Sequence, residues 1–209
     1  DYIREDIEAG GMTIEFYYGR KHQAVMEAAQ AVDAVKEVVD YCTKHYGSLS
    51  FGTGETLKLI QSRVAGGGYA TTGASLLDEA DFTAANLGNA EKGGGAGEVM
   101  IHELVHQWWG LGNMFDTSDS TSPWSAEGLT VYTTYRIVKE LYGEDYAREH
   151  YVDQWQKAVD DYYLNFYVRN PEYLEMLPEQ VQLAISNSLS QVRQYNEMPL
   201  KIYKAEQLV

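Results

Sequence analysis

Hydrophobic and polar positions along the chain change period several times. In GMTIEFYYG (residues 11–19) apolar and polar positions partly alternate, with many β-branched and aromatic residues, which predicts a strand closed by Gly19. From His22 to Tyr46 the spacing becomes three-to-four, with Val25, Ala28, Ala29, Val32, Val35, Val38, Val39 and Cys42 on one stripe. That is an amphipathic helix lying on a core, stopped by Gly47. TLKLIQSRV (56–64) and YATTGASLLDE (69–79) read as two more strands, separated by Gly66, Gly67 and Gly68, and a glycine-rich loop runs from Gly93 to Gly97. Neither glycine cluster has the spacing of a phosphate-binding loop, so both are turns or close backbone approaches. A helix containing HELVHQWWG (102–110) follows, ended by Gly110 and Gly112, and then the polar loop DTSDSTSP (116–123).

The remainder is helical. One helix is predicted from Ser125, a candidate N-cap, to Tyr142, with Gly143 as its stop. Another is predicted from Glu144 to about Val168, with Tyr146, His150, Tyr151, Trp155, Val159, Tyr162, Tyr163 and Phe166 in register before Pro171, and more helix over 178–193. Strands come first and helices after, with no internal repeat or linker. The predicted class is α+β, a small mixed sheet followed by a helical lobe.

Charge narrows the partners. With 31 acidic against 16 basic residues the chain carries −15, a field that repels nucleic acid and anionic membrane surfaces alike. No apolar run approaches the roughly 20 residues of a spanning helix, so these residues are expected to make no membrane contact, although a parent protein with an anchor is compatible with them. Cys42 has no second cysteine to pair with and reads as a small buried hydrophobe. The chain starts at Asp1 and ends in KIYKAEQLV without a stop for its last element, which suggests a piece of a longer protein. Residues 1–20 are then a first strand or the end of a preceding β domain. Acidic balance and scarce cysteine suggest the outer face of a bacterial membrane as the location.

The chemistry lies in HELVHQWWG. Residues four apart share a helix face, so His102 and His106 can aim both imidazoles at one point, with Glu103 beside it. Two neutral histidines suit zinc, leaving a tetrahedral ion in need of one more protein ligand and an open position for water. Glu103 is then placed to take the proton of an attacking water and pass it to a departing amine. A third ligand is available in WSAEGLTVY (124–132): Glu127 opens the next helix, and the twenty residues between it and His106 suffice to cross from one helix to another. His22, His45 and His150 lack partners at ligand spacing and read as surface or packing residues. The bland alternative is a core helix whose histidines hydrogen-bond internally.

HELVHQWWG followed by WSAEGLTVY resembles the HExxHxW(F/W)G and W(L/S)NEG(F/L/W)A pair of the M1 gluzincin metallopeptidases, the family of aminopeptidase N and leukotriene A4 hydrolase. LKLIQSRVAGGGYATTGASLLDE (57–79) is similar to the strand, GAMEN loop and following strand that precede the zinc helix there. The resemblance implies a thermolysin-like catalytic domain over 21–209, incomplete at its C-terminal end, that hydrolyses peptide bonds in peptide or protein substrates. It also implies one zinc ion per chain on His102, His106 and Glu127, with Glu103 as general base. IYKAEQLV resembles the family's VYEKGALV, which implies that Tyr203 hydrogen-bonds the oxyanion, with Tyr195 a nearby competitor. Gly67, Gly68, Tyr69 and Ala70 align with the substrate-binding loop.

Three departures matter. The interval from His106 to Glu127 is two residues longer than usual, and Ala126 stands where the family has Asn. Ala70 stands where the family has the glutamate that grips a free amino terminus, and a methyl group cannot hold an ammonium. Gly67 and Gly68 still permit a peptide to add to the strand edge through main-chain hydrogen bonds. Exopeptidase and endopeptidase action both fit. So does a catalytically impaired gluzincin module that binds peptides or serves a structural role.

Overall fold

The structure is a computed structural model that describes residues 1–49, 56–63, 67–83, 87, 98–111 and 124–209. The predicted loops at 93–97 and 116–123, and Gly66 and Gly112, lie outside the described residues. The chain divides into two compact units, Asp1–Phe115 and Asp116–Val209.

The first unit is built on a five-stranded sheet of order β1-β2-β3-β5-β4. β1 (Tyr2–Ala9) and β2 (Met12–Gly19) form an antiparallel hairpin, closed by Gly10 and Gly11 at φ 57° and 74°. Positive φ at both central residues matches the twist of a two-residue hairpin turn. β2 pairs in parallel with β3 (Thr56–Ser62), which pairs in parallel with β5 (Ala74–Asp78), so residues 1–19 belong to this same sheet. Met12, Ile14, Phe16 and Tyr18 alternate inward along β2, and Leu57, Leu59 and Gln61 along β3.

Where one strand was predicted over 69–79, the structure has two. β4 (Gly68–Thr71) and β5 are antiparallel and turn at Thr72 and Gly73. Gly73 takes φ 80°, a left-handed conformation that other residues adopt only with strain, and this lets the chain reverse within two residues. Among the described residues β4 lies at the sheet edge.

The helix predicted over 22–46 is also divided, into α1 (Gln23–Ala28) and α2 (Ala31–Tyr46). Gln30 between them is left-handed at φ 53°. The break rotates the buried stripe: Met26 and Ala29 go inside and Ala28 faces out, while α2 buries Ala31, Ala34, Val35, Val38, Val39, Tyr41 and Cys42. Burial raises the Cys42 thiol pKa well above its ordinary value, so the side chain behaves as an inert hydrophobe. α2 ends at Gly47, as expected, and the Gly47 carbonyl accepts a 2.8 Å hydrogen bond from Trp108 Nε1. α3 (Glu98–Val105) lies against α2, β4 and β5 and buries Met100, Ile101, Leu104 and Val105.

The second unit is helical. α4 (Trp124–Tyr142) begins one residue before Ser125. Gly143 ends it. The next predicted helix runs as α5 (Glu144–Ala147), a π turn over Arg148–Val152 and α6 (Asp153–Leu164). It stops short of Val168 because Asn165 turns extended (ψ 134°) and its side chain caps α7 (Phe166–Arg169) by accepting from Tyr167 N at 2.9 Å. Pro171 opens α8 (Pro171–Glu175), where a missing N–H costs nothing. α9 (Glu179–Val192), a π turn over Arg193–Glu197 and α10 (Met198–Glu206) complete the chain.

α10 runs alongside α4 in the same direction. Gly128 admits Met198 so closely that a Cβ at that position would lie 2.3 Å from Met198 Cγ, while further along Tyr203 packs edge-on against Tyr135 at 5.9 Å and Arg136 pairs with Glu206. Tyr135, Tyr151 and Trp155 form an aromatic core. Glu197 is buried within the π turn and accepts from Tyr163 OH (2.7 Å), Arg193 Nε (2.9 Å) and Lys201 Nζ (3.1 Å). Burial alone would raise its pKa, but these donors hold it below the ordinary carboxylate value. No helix among the described residues is long and apolar enough to cross a membrane.

Candidate metal centre

α3 presents the first part of the centre. Its regular hydrogen bonding extends past Val105, since His106 N donates to His102 O at 3.1 Å, so the two histidines stay on one face. Their Nε2 atoms are 3.0 Å apart, with the ring planes at 89°. Two imidazole nitrogens on one tetrahedral zinc would be separated by about 3.3 Å, given ligand distances of about 2.05 Å. His106 Nδ1 lies 3.1 Å from the Trp109 carbonyl, which can only accept. Nδ1 therefore carries the hydrogen, and in the neutral ring Nε2 keeps its lone pair. His106 is buried and His102 half-buried. This half of the centre fits a metal by the geometry of both rings and by the tautomer of His106.

Glu103 is 8% exposed and rests against the main chain of β4. A Cβ at Gly68 would stand 2.3 Å from Glu103 Cγ and 2.5 Å from its Oε1, so only glycine fits there. Ser75 Oγ donates to the Glu103 carbonyl at 2.7 Å and pins this turn of α3 to β5.

Gln107 was not singled out from the sequence. It is fully buried, accepts from Gly73 N at 3.0 Å, and donates from Nε2 to Thr71 O at 2.9 Å and to Ser75 Oγ at 3.1 Å. A signal existed: Gln107 is a long polar residue four positions after Glu103, followed by Trp108 and Trp109, and a buried amide needs partners.

Of the expected substrate-binding residues, Gly68 and Ala70 share one face of β4, the face against Glu103, while Tyr69 points the other way and is 60% exposed. Gly67 precedes the strand at φ 118°.

In the second unit Glu127 is half-buried in the first turn of α4, where the helix dipole favours a carboxylate. Tyr203 does not share its level. Tyr203 packs on Tyr135, two turns further along α4 and roughly 12 Å away along the axis. Gln194 and Met198 bracket Gly128, the neighbour of Glu127, which brings the π turn containing Tyr195 to that end of α4.

A sheet followed by helices, with the HELVH pair on α3, defines the class to which the chain is similar. The peptidase family M1 domain matches residues 30–172, more than half of the chain. The chain belongs to peptidase family M1. It is 31% identical over 81 residues to "Leucine aminopeptidase 2" of Emericella nidulans, which covers 39% of this chain and 12% of that protein. Among solved structures, native yeast LTA4 hydrolase matches with a TM-score of 0.56 and 17% identity, over 78% of this chain and 23% of that one. Legionella pneumophila aminopeptidase A, solved in complex with aspartic acid, matches with a TM-score of 0.52 and 19% identity, over 71% of this chain and 18% of that one. The structural matches establish a shared fold, and the chain spans less than a quarter of the length of each of these three relatives.

Proposed function

We propose that these residues form part of the catalytic domain of a zinc-dependent peptidase that hydrolyses peptide bonds. The observation that carries this reading is the imidazole pair, with Nε2 atoms 3.0 Å apart and His106 Nδ1 committed to a main-chain carbonyl, directly beside a buried carboxylate. His102, His106 and Glu127 together offer two ring nitrogens and a carboxylate oxygen, a donor set that could hold one zinc ion. When bound, zinc supplies Lewis acidity toward the scissile carbonyl and lowers the pKa of water. Glu103 takes a proton from the attacking water and returns it to the departing amine. The edge strand β4 aligns the substrate main chain.

For the oxyanion we assign Tyr195 in preference to Tyr203, because the π turn meets the Glu127 end of α4 and Tyr203 meets Tyr135. Tyr195→Phe is expected to lower kcat about a hundredfold and Tyr203→Phe by less than about fivefold. The reverse order in steady-state kinetics would return the role to Tyr203.

Ala70 supports recognition of peptides without a grip on the free amino terminus. Cleavage of matched fluorogenic peptides with free and acetylated termini tests this, and kcat/KM values within about tenfold of each other are expected. A charged hydrogen bond to the ammonium would be worth about 1.5–3 kcal/mol, or roughly 10- to 150-fold, so a preference above about tenfold for the free amine would reveal another acidic group in that role. Stoichiometric zinc with cleavage of neither peptide would favour the second reading, an impaired module that binds peptides.

A further inference from the structure

The Gln107 amide uses both of its hydrogens and its carbonyl on one short hairpin. Thr71 C=O and Gly73 N–H, which flank the tip of the β4–β5 turn, bond to this single side chain, and Ser75 links it onward to the Glu103 carbonyl. β4 is four residues long and pairs only with β5 among the described residues, so its own ladder holds it weakly. Yet Gly68, at the start of β4, lies against Glu103 with no room for a single added carbon. Something must set the height of that edge on α3.

We infer that Gln107 is a positioning residue that locks the β4–β5 hairpin to α3 and thereby holds the Gly68 main chain against Glu103. The consequence for catalysis rests on the peptidase reading above. The locking itself does not.

The test compares wild type, Gln107→Met and a control with a mild core cavity in the same sheet, Ile14→Val. Hydrogen exchange of the 68–78 segment, followed by mass spectrometry, is expected to accelerate on the order of tenfold in Gln107→Met, with 12–19 and 56–62 unchanged. In Ile14→Val any acceleration spreads over the whole sheet. With a peptide substrate, Gln107→Met is expected to raise KM about tenfold while kcat stays within about threefold and zinc content is unchanged, since α3 keeps its ligands and base while the edge that aligns substrate loosens. Unchanged exchange in 68–78, or a rise spread evenly over the sheet, overturns the inference. So does an unchanged KM in an enzyme that turns over. If the zinc-loaded wild type cleaves nothing, the peptidase reading fails and the exchange comparison alone decides the role of Gln107. Should Gln107→Met not fold, Ser75→Ala severs the link to the Glu103 carbonyl and carries the same comparison, with about a threefold rise expected.

Discussion

Glu103→Gln is expected to lower turnover of a peptide substrate by at least about a hundredfold while leaving zinc bound at one ion per chain. The amide is nearly isosteric, so the packing against Gly68 survives, and the Ser75 hydrogen bond goes to the Glu103 main chain and is untouched. What disappears is a group able to accept a proton beside the imidazole pair. Metal analysis of the purified variant together with single-turnover kinetics checks both halves. Retained zinc with near-normal rates would remove Glu103 from the chemistry and require another base.

Removing a ligand should act in the opposite way. His106→Ala and Glu127→Ala are each expected to weaken zinc at least about a hundredfold, because a tetrahedral site that loses one of three protein ligands forfeits several kcal/mol. His106→Ala also frees the Trp109 carbonyl from its ring partner. Binding that favours the folded state stabilises it by about 4 kcal/mol at a ligand concentration of roughly 1,000 times Kd. At that zinc concentration a variant weakened about a hundredfold sits at roughly 10 times its own Kd and gains only about 1.4 kcal/mol, so zinc should raise the thermal midpoint of wild type and that of each variant by about a third as much or less. Calorimetry with and without a chelator measures this, and an equal zinc-induced shift in Glu127→Ala would exclude that carboxylate as a ligand.

The histidine pair was legible in the sequence because helical spacing alone places His102 and His106 on one face, and the structure keeps them there even though regular helix ends at Val105. The α2 stripe and its stop at Gly47 were legible for the same reason, as periodicity is a local property. β1 was harder to see. Its outward positions are Tyr2, Arg4, Asp6 and Glu8 and its fully buried ones only Ile7 and Ala9, so its alternation is mostly among polar residues. The reversal at Gly73 was hidden inside a stretch that reads as one strand, although a glycine after two threonines is a turn signal.

Neither the break at Gln30, a residue type that seldom adopts left-handed backbone, nor the π turns over Arg148–Val152 and Arg193–Glu197 has a residue-type signature. Gln107 carried a sequence signal, a buried amide in need of partners, but which partners it meets was not legible. Its partners, Thr71, Gly73 and Ser75, are more than thirty residues earlier in the chain and meet it only once the hairpin has folded onto α3. The likeness of IYKAEQLV to the family's tyrosine motif pointed to Tyr203, whereas the packing of α10 on α4 sets that residue beside Tyr135.

The central claim is that one divalent ion joins the imidazole pair to Glu127. Anomalous diffraction at the zinc edge, from crystals of the zinc-loaded protein, tests it most directly. The account predicts a single strong peak about 2.0–2.1 Å from both His102 Nε2 and His106 Nε2 and about 2.0–2.2 Å from a Glu127 carboxylate oxygen. A map with no peak between the imidazoles, or a peak there with Glu127 out of reach, would contradict it.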